Sequence, residues 1–408
     1  MIRLLRRRVR PALAALLLGG VAGVLALVTY TVMTRRPTVL PAPTGTAQVG
    51  RMRLDWVDAS RADPLAGAPG VPRRLPVWIW YPASVSPGSQ PAPVLPADWR
   101  AAESRGQGIL ERAANLVLSP LVKPPPVRSH AYLGAQPAPA PRAFPVLVMQ
   151  PGMGQAVPGY TVLAENLASH GYVVIGVNEP GSSDLVVYAD GSVARATPRG
   201  SIADNAGPAE VARQMNALGP IWRADAVFVL DQLERLNRDP ASPFAGRLDL
   251  ARVGLFGHSF GGASALAVCQ QDSRCRAGAD LDGTPLDASL GHPLPRPFLF
   301  VTEGYKHGCA ADTSCRPLWQ GYQEASGPAV LVSIAGARHS NFQDVDLSFS
   351  GLGRFVLGRT GVVGTIEPAR ALAITNAELV TFFGQYLSGG GAPRPWPPFP
   401  EVDVFHKP

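Results

Sequence analysis

Charge is scarce in this chain: Asp, Glu, Lys and Arg make up 16% of its 408 residues. Neither an H-E-x-x-H stretch nor a tight cluster of histidines occurs, so the sequence signatures of a zinc-dependent hydrolase are missing and no metal or other cofactor is expected. There is no internal repeat, which excludes solenoids and propellers. A basic stripe is missing too. The formal net charge is +7, but Arg3, Arg6, Arg7, Arg8, Arg10, Arg35 and Arg36 account for all of it and flank the first apolar segment. The rest of the chain is near neutral, so nucleic acid is not an expected partner. Cysteine is limited to four residues, none with C-x-x-C spacing.

What is present begins with an address. Residues 11–33 form an uncharged run of 23 residues, long enough to cross a bilayer as a helix. Five arginines precede it and two follow, which predicts an N-terminus in the cytoplasm and the remainder outside. Residues 1–36 therefore read as a signal-anchor, with a cleaved export signal as the alternative, and 37–48 as a proline-containing tether. The cysteines agree with export. Cys269 and Cys275 bracket CQQDSRC, and Cys309 and Cys315 bracket CAADTSC. Of the three possible pairings, the two local bridges are expected; a zinc site drawing on His307 and free buried thiols are the rival readings.

Apolar residues reach 46%, enough for a large core, and 49–390 read as one catalytic-sized domain. Residues 51–58 and 75–82 look like an opening antiparallel pair of strands. Residues 84–143 are rich in proline, with one helical stretch at 102–118, and read as an insertion placed to border a substrate entrance. From 145 onward short apolar runs recur at 145–149, 172–177, 252–257, 297–301 and 330–334, several separated by helical patterns such as 224–236. Continuous apolar strands alternating with helices predict an α/β fold with a mostly parallel sheet covered on both faces. Residues 186–196 suggest a hairpin turning at Asp190-Gly191. Residues 368–387 predict a closing amphipathic helix, and 391–408 an irregular tail.

GHSFGG at 257–262 fits G-x-S-x-G between a strand and a small-residue helix, the setting of a nucleophile elbow in an α/β-hydrolase. Ser259 is the expected nucleophile. Serine needs a base near neutral pH; among the histidines that follow it, His339 sits in a loop after the run 330–334 and is the expected base, with His307 next. The acid should end the strand after the elbow helix. Asp280 and Asp282 both qualify and face the same side; Asp282, nearer the strand end, is preferred. The backbone N–H groups of Phe260 and of Met153, in the glycine-flanked loop QPGMGQ at 150–155, are the expected oxyanion donors.

These residues resemble the plasma-type platelet-activating factor acetylhydrolases and their bacterial relatives. GHSFGG matches that family's elbow, ASHG at 168–171 its segment after the oxyanion loop, Leu281-Asp282 the acid 23 residues past the serine, and HSNF at 339–342 the surroundings of its histidine. The resemblance covers about 130–345 and implies a calcium-independent serine esterase acting on lipids with a short or oxidised acyl chain, with Asp282 as the acid and Met153 in the place of the family's oxyanion-loop leucine. QPGMG departs from the animal enzymes' serine–histidine–glycine loop, and GTPLD after Asp282 lacks their bulky aromatic. A broad carboxylesterase or polyester hydrolase, and an acyltransferase using the same three residues, are the competing functions; a dead binding module on the same fold is a third.

Overall fold

The computed structural model describes residues 19–23, 25, 29, 38–106, 121–122, 128–203, 205–304, 316–388 and 395–407. The expected membrane span at 11–33 lies mostly outside them; among the described residues no helix is long and apolar enough to cross a membrane. Cys309, Cys315 and His307 also lie outside them.

The chain opens with β1 (Val49–Ala62) and β2 (Pro72–Ser84), paired antiparallel as expected. Next come α1 (Ala97–Gly106), β3 (Ala131–Leu133), β4 (Gln136–Pro137), β5 (Phe144–Gln150), α2 (Thr161–Ser169) and β6 (Val173–Val177). A two-stranded hairpin, β7 (Val186–Val187) and β8 (Val193–Ala194), precedes the long α3 (Pro208–Arg238). Then β9 (Leu248–His258), α4 (Phe260–Gln271), β10 (Cys275–Leu281), β11 (Phe298–Glu303), α5 (Arg316–Glu324) and β12 (Ala329–Ile334) alternate. The chain closes with α6 (Gly351–Arg359), α7 (Pro368–Leu387) and β13 (Val402–Lys407).

Eleven strands form one sheet in the order β13-β12-β11-β10-β9-β5-β6-β2-β1-β3, with β4 attached to β2. Its centre, from β6 through β5, β9, β10 and β11 to β12, is parallel, and β2 and β13 join it antiparallel. Strand alternation divides two cores. Trp78, Trp80, Leu147, Met149 and Phe256 pack with Leu163, Phe382 and Phe383 of α2 and α7. Val77, Ile79, Val146, Val148 and Leu255 pack with Val229 and Leu233 of α3 and with Leu266 and Val268 of α4. Both faces are dry, which is why the strands read as unbroken apolar runs.

Several expectations need correction. The tail 391–408 is not all irregular. Val402–Lys407 adds an edge strand to β12 over six registered pairs, and main-chain hydrogen bonds supply what its weak apolar pattern does not advertise. The tether is no free linker either: Leu40 is buried, Thr44 N–H donates to Asn166 Oδ1 at 2.9 Å, and Ala47 N–H donates to the Ser169 carbonyl at 3.1 Å. The stretch therefore lies docked along α2. Within 84–143 the helix starts five residues earlier than expected, at Ala97; 107–118 lies outside the described residues. That segment also contributes β3, paired parallel to β1, so part of it is integral to the sheet. The Cys269–Cys275 bridge is present, closing a loop of sequence separation 6 between α4 and β10. Chain entropy alone gives such a link about 2 kcal/mol.

Candidate active site

The parallel strands end at one edge of the sheet, where loops converge on the middle strand β9. The chain leaves β9 at His258 and enters α4 at Phe260, so Ser259 alone makes the turn, at φ 55° and ψ −122°. Such a conformation is costly for a residue with a side chain and persists only when surroundings enforce it. Three contacts do so. Ser259 N–H donates to the Leu281 carbonyl at 2.9 Å, and the Ser259 carbonyl accepts from Gly262 N–H at 3.0 Å and Ala263 N–H at 3.1 Å. The glycines of GHSFGG are there for space. A Cβ on Gly257 would strike the main chain of Gly261, one on Gly261 the carbonyl of Gln150, and one on Gly262 the Asp280 carboxyl. Phe260 anchors the turn from below, edge-on to Trp222 at 4.8 Å between ring centroids.

Asp282 follows the last residue of β10 and also has a positive φ, 57°. Its Oδ2 accepts from His339 Nδ1 at 2.7 Å. Its Oδ1 accepts from Thr302 Oγ1 and from Glu303 N–H, each at 3.0 Å. Burial would raise the Asp282 pKa, but the hydrogen bond and charge of His339 and the Glu303 amide outweigh burial and hold it below the usual carboxylate value. Burial likewise opposes charge on His339, yet the Asp282 hydrogen bond and the carboxylates of Asp282 and Glu303 raise its pKa above the ordinary imidazole value. Because Nδ1 donates to a carboxylate, the neutral ring leaves Nε2 without a proton.

Asp280 takes a different position. It is fully buried, and its Oδ1 accepts from Gly283 N–H at 2.8 Å. Burial, with the nearby Asp282 charge, pushes its pKa well above the usual carboxylate range. It braces the turn that carries Asp282 and makes no hydrogen bond to His339.

The loop after β5 faces the elbow. Gly152 N–H donates to Tyr160 Oη at 2.9 Å, and Gly154 N–H donates to the Ser182 carbonyl at 3.0 Å. Gly154 turns at φ 79°, a left-handed conformation that suits glycine. The amide of Met153 lies between these two pinned groups. Beneath the loop, Gln150 Nε2 donates to Glu179 Oε1 at 2.7 Å and to the Trp222 carbonyl at 3.0 Å. Glu179 is in turn held by the buried Arg73, which also pairs with Asp225 at 2.7 Å.

Ser259, Asp282, His339, Met153 and Phe260 all line one open cleft of about 350 Å³. Ile202, Met215, Gly283, Thr284, Thr302, Glu303 and Leu318 complete it. Gly283 and Thr284 belong to the GTPLD stretch noted after Asp282; the other five were not singled out from the sequence. Thr302 and Glu303 stand at the carboxyl end of the strand after the acid's strand, a position that open α/β sheets use for ligands, so a signal existed for them. Ile202 and Met215 come from the approach to α3 and its first turns, where no local pattern marks a cleft wall. The described part of the 84–143 segment contributes nothing to the lining.

A family model described as "Platelet-activating factor acetylhydrolase, isoform II" matches residues 224–391, which include Ser259, Asp282 and His339. A probable 1-alkyl-2-acetylglycerophosphocholine esterase of Arthroderma benhamiae is 27% identical over 394 residues, covering 89% of this chain and 93% of that protein. The platelet-activating factor acetylhydrolase of Cavia porcellus is 26% identical over 259 residues, or 60% of this chain and 58% of the relative. Among solved structures, a ferulic acid esterase from Streptomyces cinnamoneus superposes with a TM-score of 0.66 at 28% identity, covering 91% of this chain and 99% of that one. This chain is an esterase, and over residues 224–391 it is similar to the platelet-activating factor acetylhydrolase, isoform II, family.

Proposed function

We propose that the protein hydrolyses short-chain acyl esters, including phospholipids with a short sn-2 acyl group, through an acyl-enzyme on Ser259. The 2.7 Å bond from His339 Nδ1 to Asp282 carries the reading, because it leaves Nε2 bare on a histidine that lines the same cleft as Ser259. Ser259 Oγ attacks the ester carbonyl carbon while Nε2 takes its proton. The oxyanion receives the N–H groups of Met153 and Phe260, neither of which donates to a backbone carbonyl among the described residues. The imidazolium, stabilised by Asp282, then protonates the departing alkoxide oxygen and leaves the acyl group on Ser259. Water, deprotonated by the same Nε2, attacks the acyl carbon. The carboxylic acid departs and the proton returns to Ser259.

The likeness to a probable 1-alkyl-2-acetylglycerophosphocholine esterase over 89% of this chain supports a short acyl group, acetyl having two carbons. A broad carboxylesterase is the second reading, favoured by the likeness to the ferulic acid esterase over nearly the whole of both chains. A series of nitrophenyl esters of graded acyl length, phospholipids with two-carbon or long sn-2 chains, and a hydroxycinnamate methyl ester separates the two. The expected result is kcat/KM falling at least tenfold between short and long acyl groups, since each methylene a pocket cannot accept costs on the order of 1 kcal/mol or more. Comparable turnover across the series, feruloyl esters included, contradicts the short-acyl reading and supports the broad one.

A further inference from the structure

The residue between Gly257 and Ser259 has no part in the chemistry above, yet its surroundings are fully specified. His258 is 2% exposed. Its Nε2 lies 2.9 Å from the main-chain carbonyl oxygen of His339. A carbonyl only accepts, so Nε2 carries the proton. Burial pushes the His258 pKa down to about 3, with the charge of His339 acting in the same sense, so the ring is neutral and Nδ1 is a bare acceptor. Tyr160 Oη lies 2.9 Å from Nδ1 and must be the donor; its oxygen accepts the Gly152 N–H. The hydrogen bonds run in one direction, from Gly152 N–H to Tyr160, from Tyr160 O–H to His258, and from His258 Nε2–H to the His339 carbonyl. The two imidazoles also pack together, with ring centroids 4.5 Å apart. A Cβ on Gly152 would come within 3.0 Å of His258 Nδ1, so the loop and the ring are in close contact.

We propose that His258, oriented by Tyr160, is a positioning residue that ties the loop carrying the Met153 amide to the main chain of His339 and so sets both against Ser259. The inference rests on the acyl-enzyme reading above. The relay begins one residue before one oxyanion donor and ends on the backbone of the base, so loosening it moves two groups that meet only in the transition state. A histidine that merely filled the core would lower stability when replaced and leave turnover per folded molecule unchanged. Loss of the relay should instead lower kcat and spare KM, because the interactions it aligns are made in the transition state.

The test compares steady-state hydrolysis of nitrophenyl acetate and thermal unfolding for the full chain and for Ser259→Ala, His258→Leu, His258→Gln, Tyr160→Phe and the double variant His258→Leu/Tyr160→Phe. The glutamine amide can donate toward the His339 carbonyl and accept from Tyr160, as imidazole does. The expected kcat losses are about 100-fold for His258→Leu and about 10-fold for Tyr160→Phe, with KM within about threefold in both. His258→Gln should recover most of the loss. The double variant should be no slower than His258→Leu, because both changes cut the same chain. If His258→Leu does not fold, the decision passes to Tyr160→Phe, which removes one hydroxyl. A loss of about tenfold in its kcat, with unchanged KM, supports the relay; a kcat within about twofold of the parent overturns it. Losses that multiply in the double variant also overturn it. Full activity in Ser259→Ala overturns the acyl-enzyme reading and the relay with it, whereas an inactive Ser259→Ala beside a fully active Tyr160→Phe overturns the relay alone.

Discussion

Replacing Ser259 by alanine is expected to lower kcat/KM for ester hydrolysis by roughly 10⁴- to 10⁶-fold, since removing a nucleophile leaves only what binding and the oxyanion donors supply. The unfolding transition should barely move. The contacts that hold residue 259 in its strained turn are made by its own N–H and carbonyl, which alanine keeps. A variant that is both inactive and unfolded would point to a structural role for the hydroxyl. A folded variant with activity within about tenfold of the parent would remove Ser259 from the mechanism.

The second large effect is expected at Asp282. Asparagine there should lower kcat by about 10⁴-fold, because an amide no longer selects the imidazole tautomer with Nε2 bare and no longer stabilises the imidazolium. The pH profile gives this prediction a sign. Activity requires neutral His339, so kcat/KM falls as pH drops through the His339 pKa. In the parent that pKa is raised: burial works against the charge, but Asp282 and Glu303 outweigh it. Removing Asp282 leaves burial opposed by Glu303 alone. The acidic limb of the residual activity should therefore move to lower pH, and a kcat/KM profile from about pH 5 to 9 measures it. A limb that stays in place, or moves upward, would show that Asp282 does not govern His339.

Much of the fold was legible because both faces of the sheet are dry. Val146, Leu147, Val148 and Met149 alternate between two cores and are all buried, so β5 reads as a continuous apolar run although its side chains diverge. Strand β2 and the closing helix α7 were legible for the same reason, while the alternating Met52, Leu54 and Trp56 of β1 pack half-buried against the second core. Elements held by other forces were not. Strand β13 is an edge strand whose residues are mostly half-exposed, and its place depends on main-chain bonds to β12. The docked stretch 38–48 is held largely by hydrogen bonds to the end of α2, which leave no periodic trace. The first half of α3 is concealed by Gly219-Pro220; Pro220 lies inside the helix, where a proline more often marks an end.

The site divides in the same manner. Ser259 is marked by the glycines that let β9, α4 and β5 approach one another, and the order of Asp282 and His339 along the chain follows from the topology. The choice between Asp280 and Asp282 depends on one residue of reach: Asp280 stays under the elbow, while Asp282, at a positive φ, turns out to the histidine. His258 left no signal, being the unspecified position of G-x-S-x-G. Ile202, just before α3, and Met215, near its start, line the cleft with no local pattern to mark them.

The most direct measurement is peptide mapping by mass spectrometry after reaction of the full chain with a fluorophosphonate. A single phosphonyl group is expected, carried by Ser259 within GHSFGG, with ester hydrolysis lost in proportion to labelling. Label on any other residue, or full hydrolytic activity in a protein labelled completely at Ser259, would contradict the acyl-enzyme reading.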